Sequence, residues 1–194
     1  MLALVLWVLS YILGSVPTGY LLGSVTGVDI RESGSGNIGA TNVARTLGWA
    51  KGLLTLVADI VKGLIPVLIA LQLGLDIAVA AVAGLAAFLG HLYPIFLKFQ
   101  GGKGIATALG VFLGTMPLGA AVLVAVFLLV VGLSRRVSLG SVTTAVLSPL
   151  VPWVLDYPLP VVWVNLVIGV FAVVRHRENL RRLRNGTEAK LGAG

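Results

Sequence analysis

The 194-residue sequence predicts an all-α integral membrane protein, and three observations carry that prediction. Hydrophobic residues make up 58% of the chain and the mean hydropathy is +1.04, more apolar side chain than one soluble core could bury. The apolar residues fall in runs near the roughly 20 that a bilayer-crossing helix needs. Between the runs, basic connections alternate with connections that hold no Lys or Arg.

In order, the runs place about seven spans at 2–23, 50–73, 77–97, 104–114, 117–133, 138–154 and 158–175, one or more of them short, in a single polytopic domain over 1–194. The first, MLALVLWVLSYILGSVPTGYLLG, has no Lys or Arg ahead of its apolar run and no small-residue cleavage site, so it reads as a helix that is kept. The fourth, at about 1.5 Å per residue, covers only about half the hydrocarbon thickness. MPLG at 116–119 supplies a break, so 104–114 is expected as a half-helix dipping in from the basic side. One kinked helix over 104–133, or a five-span chain with merged middle helices, are the alternatives. Trp7, Trp49, Tyr93, Trp153, Tyr157 and Trp163 lie near expected span ends, as interfacial anchors do.

The net charge of +7 comes from 14 Lys and Arg against 7 Asp and Glu, and its placement makes it a topology signal rather than a nucleic-acid footprint. Arg31 and Arg45 lie in 24–49, Lys98 and Lys103 in 98–103, Arg135 and Arg136 in 134–136, and Arg175, Arg177, Arg181, Arg182, Arg184 and Lys190 in the tail. The opposing connections hold only Asp76 and Asp156. The positive-inside rule then puts the N-terminus outside and the C-terminus in the cytoplasm. With Lys51 counted at a helix start, Lys62 is the exception; it stands three residues from Asp59 within a span, and the two are expected to pair with each other or with loop polar groups. The absence of cysteine excludes disulfides, thiolate nucleophiles and iron–sulfur ligation. His91 and His176 stand at no metal-ligand spacing, and no cofactor is implied.

Three polar segments, all on the basic side, can carry chemistry. RESGSGNIGATNVAR at 31–45 sets Gly34, Gly36 and Gly39 among Ser33, Ser35, Asn37, Thr41 and Asn42, a composition suited to holding an anion on backbone amides, side-chain amides and guanidinium groups. KFQGGKGIATALG at 98–110 puts Gly101, Gly102, Lys103 and Gly104 just before an apolar helix, where free N–H groups and the dipole favour phosphate. Ile105 and Ala106 follow, so this is not the G-x-x-x-x-G-K-[ST] loop of a nucleotide motor. RHRENLRRLRNGTE at 175–188 follows the last span; on one continuous helix Arg175, Asn179 and Arg182 share a face and His176 lies a turn from Asn179. The same run also fits a basic helix lying on an anionic leaflet. Ser141 can lean toward the same chemistry, while His91, ahead of Tyr93 and Pro94, reads as an interfacial residue. Such segments fit an enzyme joining a soluble anion to a lipid. The alternative is a transporter or carrier of a phosphorylated anion, but that needs ligand-binding charge at depth, where only Asp59 and Lys62 lie.

SVPTGYLLG at 15–23, GSGNIGATNVAR at 34–45, DIVKG at 59–63, GHLYPIFLKFQGGKGIAT at 90–107 and RHRENLRRLRNGTE at 175–188 together resemble the bacterial acyl-phosphate:glycerol-3-phosphate acyltransferase family (PlsY), in family order and over nearly the whole chain. The resemblance implies a multi-pass bacterial inner-membrane enzyme with its active site on the cytoplasmic side. It would move an acyl group from acyl phosphate to the 1-hydroxyl of sn-glycerol 3-phosphate, giving lysophosphatidic acid and inorganic phosphate in the first step of phospholipid synthesis. It implies Ser35, Arg45, Lys103, Ser141, His176 and Asn179 as site residues. The implied partners are glycerol 3-phosphate, acyl phosphate, membrane lipid and the soluble enzyme that makes acyl phosphate, with no nucleic acid. The H-x4-D motif of soluble glycerolipid acyltransferases is absent, since Phe96 and Arg181 stand where its Asp would follow His91 and His176. The sequence leaves open whether His176 or a substrate phosphate takes the hydroxyl proton.

Overall fold

Lipid is as apolar as leucine, so helices in it are held by close packing and a few polar bonds rather than by burial of apolar area. The computed structural model, which describes residues 1–192, follows that rule in each of two compact units, Met1–Gly114 and the remainder from Thr115. Every regular element among the described residues is a helix.

The first unit begins with α1 (Leu2–Gly14) and α2 (Thr18–Val25), separated at Ser15–Pro17 because Pro17 has no N–H to continue the ladder. After an irregular stretch come α3 (Ala40–Leu47), α4 (Trp49–Gln72), α5 (Ile77–Leu92), a 3-10 turn at Ile95–Leu97 and α6 (Ile105–Thr115). Small residues let backbones touch: a side chain at Gly14 would strike the Ala87 backbone, one at Gly90 the Tyr11 carbonyl, one at Gly63 the Thr107 carbonyl and one at Gly110 the Ile60 carbonyl. Trp7 of α1 donates Nε1–H to the Val79 carbonyl at 3.2 Å, and Tyr11 Oη–H reaches the Tyr93 carbonyl at 2.5 Å. Each such bond is worth about 0.6 kcal/mol in a membrane. Outward faces are Leu, Ile and Val, while Thr55, Asp59 and Lys62 of α4 point inward. Lys62 Nζ lies 2.7 Å from Asp59 Oδ1, the expected pairing, and also donates to the Val16 carbonyl at 3.0 Å.

The second unit holds α7 (Pro117–Ser134), α8 (Val137–Leu147), α9 (Leu150–Val154), α10 (Leu159–Arg175) and α11 (Arg177–Arg184). The expected span 138–154 is interrupted at Ser148–Pro149, where Ser148 Oγ–H bonds back to the Ala145 carbonyl and across to that of Asn165. The tail returns onto the turn between α7 and α8, with Leu191 N donating to the Arg135 carbonyl at 2.6 Å.

Four segments, Leu2–Val25, Trp49–Gln72, Ile77–Leu97 and Pro117–Ser134, are long and apolar enough to cross a bilayer, or five if α10 and α11, bent by 58°, count together. α6 and α8 are apolar but shorter.

Candidate functional site

The first polar segment is built around one amide. Asn42, 2% exposed, donates through Nδ2 toward the carbonyls of Ile30 (3.0 Å), Ser33 (3.0 Å) and Asn37 (2.8 Å) and accepts Ser35 N–H at Oδ1 (2.8 Å). It was expected to touch ligand; its hydrogen-bonding capacity goes instead into the loop's shape. Asn37 Oδ1 likewise accepts Gly39 N–H at 2.8 Å, a local turn. Gly34 and Gly36 have φ of +61° and +69°, and a side chain on Gly34 would strike Asn42 Oδ1. These constraints leave Ser35 and Thr41 exposed, and Arg45 exposed on the last turn of α3.

Arg31 is spoken for. Its Nη2 meets Asp29 Oδ2 at 2.6 Å and its guanidinium lies 4.7 Å from the Tyr20 ring centre. The Arg31 hydrogen bond holds the exposed Asp29 carboxyl down at about 2. No carboxylate pairs with Arg45 among the described residues.

The second segment is brought to the first by a small core, in which Leu97 packs with Ile30, Ile38 and Val43, flanked by Tyr20 and Leu47. Two successive left-handed residues, Lys98 (φ +51°) and Phe99 (φ +63°), then reverse the chain, at a cost of about 1–2 kcal/mol each. The reversal lays the glycines on the end of α5. Gly101 N donates to the Leu92 carbonyl and Gly102 N to the His91 carbonyl, both at 3.1 Å. Side chains at Gly101, Gly102 and Gly104 would strike the His91 carbonyl, the His91 ring and the Phe88 ring. Packing from beneath thus demands glycine, and it fixes Lys103, half-buried, at the start of α6. Beside Leu97, a groove of about 340 Å³ is lined by Val16, Pro17, Tyr20, Leu21, Phe96 and Leu97.

In the second unit, the helix expected to run through 175–182 breaks at His176, which ends α10 and caps α11. His176, 3% exposed, has Nδ1 2.7 Å from the Ala172 carbonyl. A carbonyl only accepts, so Nδ1 carries the proton and Nε2 is the basic nitrogen of the neutral ring. Asn179 and Arg182 share a face, as expected, and both reach a residue given no role from sequence: Glu188 Oε1 accepts Asn179 Nδ2–H at 2.6 Å and Oε2 accepts Arg182 Nε–H at 2.7 Å. Ser141, buried on α8, donates to the Val137 carbonyl at 3.0 Å.

Burial raises the Glu188 carboxyl, but the nearby Ser138 hydroxyl and the hydrogen bonds from Arg182 and Asn179 outweigh it and leave the group below its ordinary 4.5. A depressed carboxyl stabilises the fold fully above its unfolded value, and that share is lost as pH falls through the folded value. The thermal midpoint of the wild type should therefore fall relative to that of Glu188→Gln as pH drops below 4.5, with the wild type ahead at pH 7.

A family model described as glycerol-3-phosphate acyltransferase matches residues 4–186. The glycerol-3-phosphate acyltransferase of Geobacter sulfurreducens is 53% identical over 190 residues, 98% of each chain. That of Aquifex aeolicus is 45% identical over 189 residues, 97% of this chain and 98% of its own. Among solved structures, the glycerol 3-phosphate form of PlsY (YgiH), an integral membrane glycerol 3-phosphate acyltransferase, aligns with a TM-score of 0.96 at 43% identity, covering 99% of this chain and 96% of that one. Its lysphosphatidic acid form aligns with a TM-score of 0.93 at 42% identity, covering 100% and 97%.

Proposed function

The chain belongs to the glycerol-3-phosphate acyltransferase family, an integral membrane family of phospholipid biosynthesis, and from that premise we propose that it transfers an acyl group from acyl phosphate to the 1-hydroxyl of sn-glycerol 3-phosphate. The products are lysophosphatidic acid and inorganic phosphate. The observation that carries this reading is the loop at 101–104, strapped to α5 by its Gly101 and Gly102 amides so that Lys103 is fixed before a ligand arrives.

Both substrates bear phosphate and repel one another. Lys103 and Arg45 offset that repulsion, with Ser35, Thr41 and the amides of Gly34, Asn37 and Gly104 as further donors; the Gly36, Gly101 and Gly102 amides, expected to hold phosphate, instead donate to the Ser33, Leu92 and His91 carbonyls. The groove beside Leu97 takes the acyl chain. His176 Nε2 accepts the hydrogen bond of the attacking hydroxyl and then its proton, since Nδ1–H is committed to Ala172. Asn179 stabilises the oxyanion, Ser141, its proton held by the Val137 carbonyl, stands beside it as a hydrogen-bond acceptor, and phosphate leaves with the electron pair of the broken acyl–oxygen bond. Neither metal nor cofactor takes part.

The reading extends to topology. We take the four long segments, α10 and the short α6 and α8 as seven spans of one polytopic domain of the bacterial inner membrane, N-terminus outside and active site cytoplasmic; charge placement supports it. The soluble enzyme that makes acyl phosphate is the expected donor partner.

Purified protein given labelled glycerol 3-phosphate should form lysophosphatidate with palmitoyl phosphate and none with palmitoyl-CoA. His176→Gln, which keeps a polar group near Nε2 but cannot take a proton, should slow turnover about 10²–10⁴-fold. Uptake of label into proteoliposomes with no lipid product would favour a carrier instead.

A further inference from the structure

The buried charges of α4 lie beneath the phosphate loop. Asp59 Oδ1, besides its bond to Lys62, is 3.6 Å from Nδ1 of His91, itself 4% exposed at the end of α5. The far side of the same imidazole, Nε2, lies so close under Gly102 that a side-chain carbon there would overlap it. One ring thus spans from a buried carboxylate to the peptide that precedes Lys103.

Charges buried in a span cost several kcal/mol, and a buried ion pair seldom stabilises more than a well-packed apolar pair would. What such a group can supply is registry. Lys62 ties Asp59 to the carbonyl of Val16 at the end of α1, so the carboxylate is fixed from α1 and α4 together and the imidazole from α5.

We propose that His91 and Asp59 are positioning residues for the glycine loop: Asp59 sets the orientation of the His91 ring, and the ring sets the height of Gly102 and hence the placement of Lys103. The proposal rests on the reading of Lys103 as a ligand of the substrate phosphate. A loop that sinks by a fraction of an ångström weakens the grip on phosphate without touching the groups that move the proton. The effect belongs in KM for glycerol 3-phosphate rather than in kcat.

The test uses the full-length enzyme in detergent or nanodiscs. His91→Ala, which empties the space under Gly102, should raise KM for glycerol 3-phosphate about tenfold, with kcat within about threefold of wild type. His91→Gln, whose amide reaches the Nε2 position, should return KM to within about threefold. Gly102→Ala, which presses a methyl group onto the ring, should raise KM about 10²-fold, and adding His91→Ala to it should recover part of the loss. An unchanged KM in His91→Ala, or losses that multiply in the double variant, would overturn the proposal. Should His91→Ala fail to fold, His91→Asn carries the same expectation, because it keeps a polar group toward Asp59 and withdraws the one under Gly102. Lys103→Ala, assayed alongside, separates two failures. If it responds while His91 does not, positioning alone is wrong; if it too leaves KM unchanged, the phosphate reading falls and this proposal with it.

Discussion

Lys103→Ala is expected to lower kcat/KM for glycerol 3-phosphate by about 10³-fold. An ammonium about 4 Å from a phosphate charge, at the effective dielectric near 20 of a protein surface site, contributes about 4 kcal/mol, which is three decades of rate. The penalty is large because Lys103 is half-buried on a loop clamped from below, so water cannot fully replace it. Lys103→Arg keeps the charge but not the compact shape, and an intermediate loss is expected. Steady-state formation of lysophosphatidate at varied glycerol 3-phosphate checks both; an active Lys103→Ala would contradict the loop's assignment.

Asp59→Leu should cost about 3–5 kcal/mol of stability, the largest single-site loss expected in the first unit. The substitution removes a carboxylate 3% exposed and leaves the Lys62 ammonium, 2.7 Å away and nearly as buried, without its counter-charge. Removing both charges together avoids that penalty, so Asp59→Leu with Lys62→Met should recover most of the loss. Thermal unfolding of the three proteins in one detergent reads the difference directly. A single variant as stable as wild type would mean that the pair is solvated and the cluster holds nothing in place.

The helical membrane class and the family were legible in the sequence because each rests on local pattern: apolar runs, Gly and Pro breaks, and contiguous motifs. The Asp59–Lys62 pair was legible for the same reason, being three residues apart on one helix. What escaped was non-local. Asn42 looked like a ligand group because its four loop partners lie up to twelve residues away and meet it only once the loop folds. Glu188 lies nine residues beyond Asn179 and reaches it only because the tail turns at Gly186, φ +72°. His91 could not be connected with Gly102 until Lys98 and Phe99 reversed the chain. The single helix drawn through 175–182 failed because nothing in its composition marks the bend at His176.

The proposed transfer passes directly from acyl phosphate to glycerol 3-phosphate on fixed positive charge, with no acylated protein between. Purified enzyme mixed with stoichiometric acyl-labelled palmitoyl phosphate, then quenched before and after glycerol 3-phosphate is added, tests it most directly. Direct transfer leaves no label on the protein and no burst of inorganic phosphate before the addition, then gives equal amounts of labelled lysophosphatidate and phosphate after it. Label retained on Ser35 or Ser141, or a phosphate burst equal to the enzyme present, would contradict it.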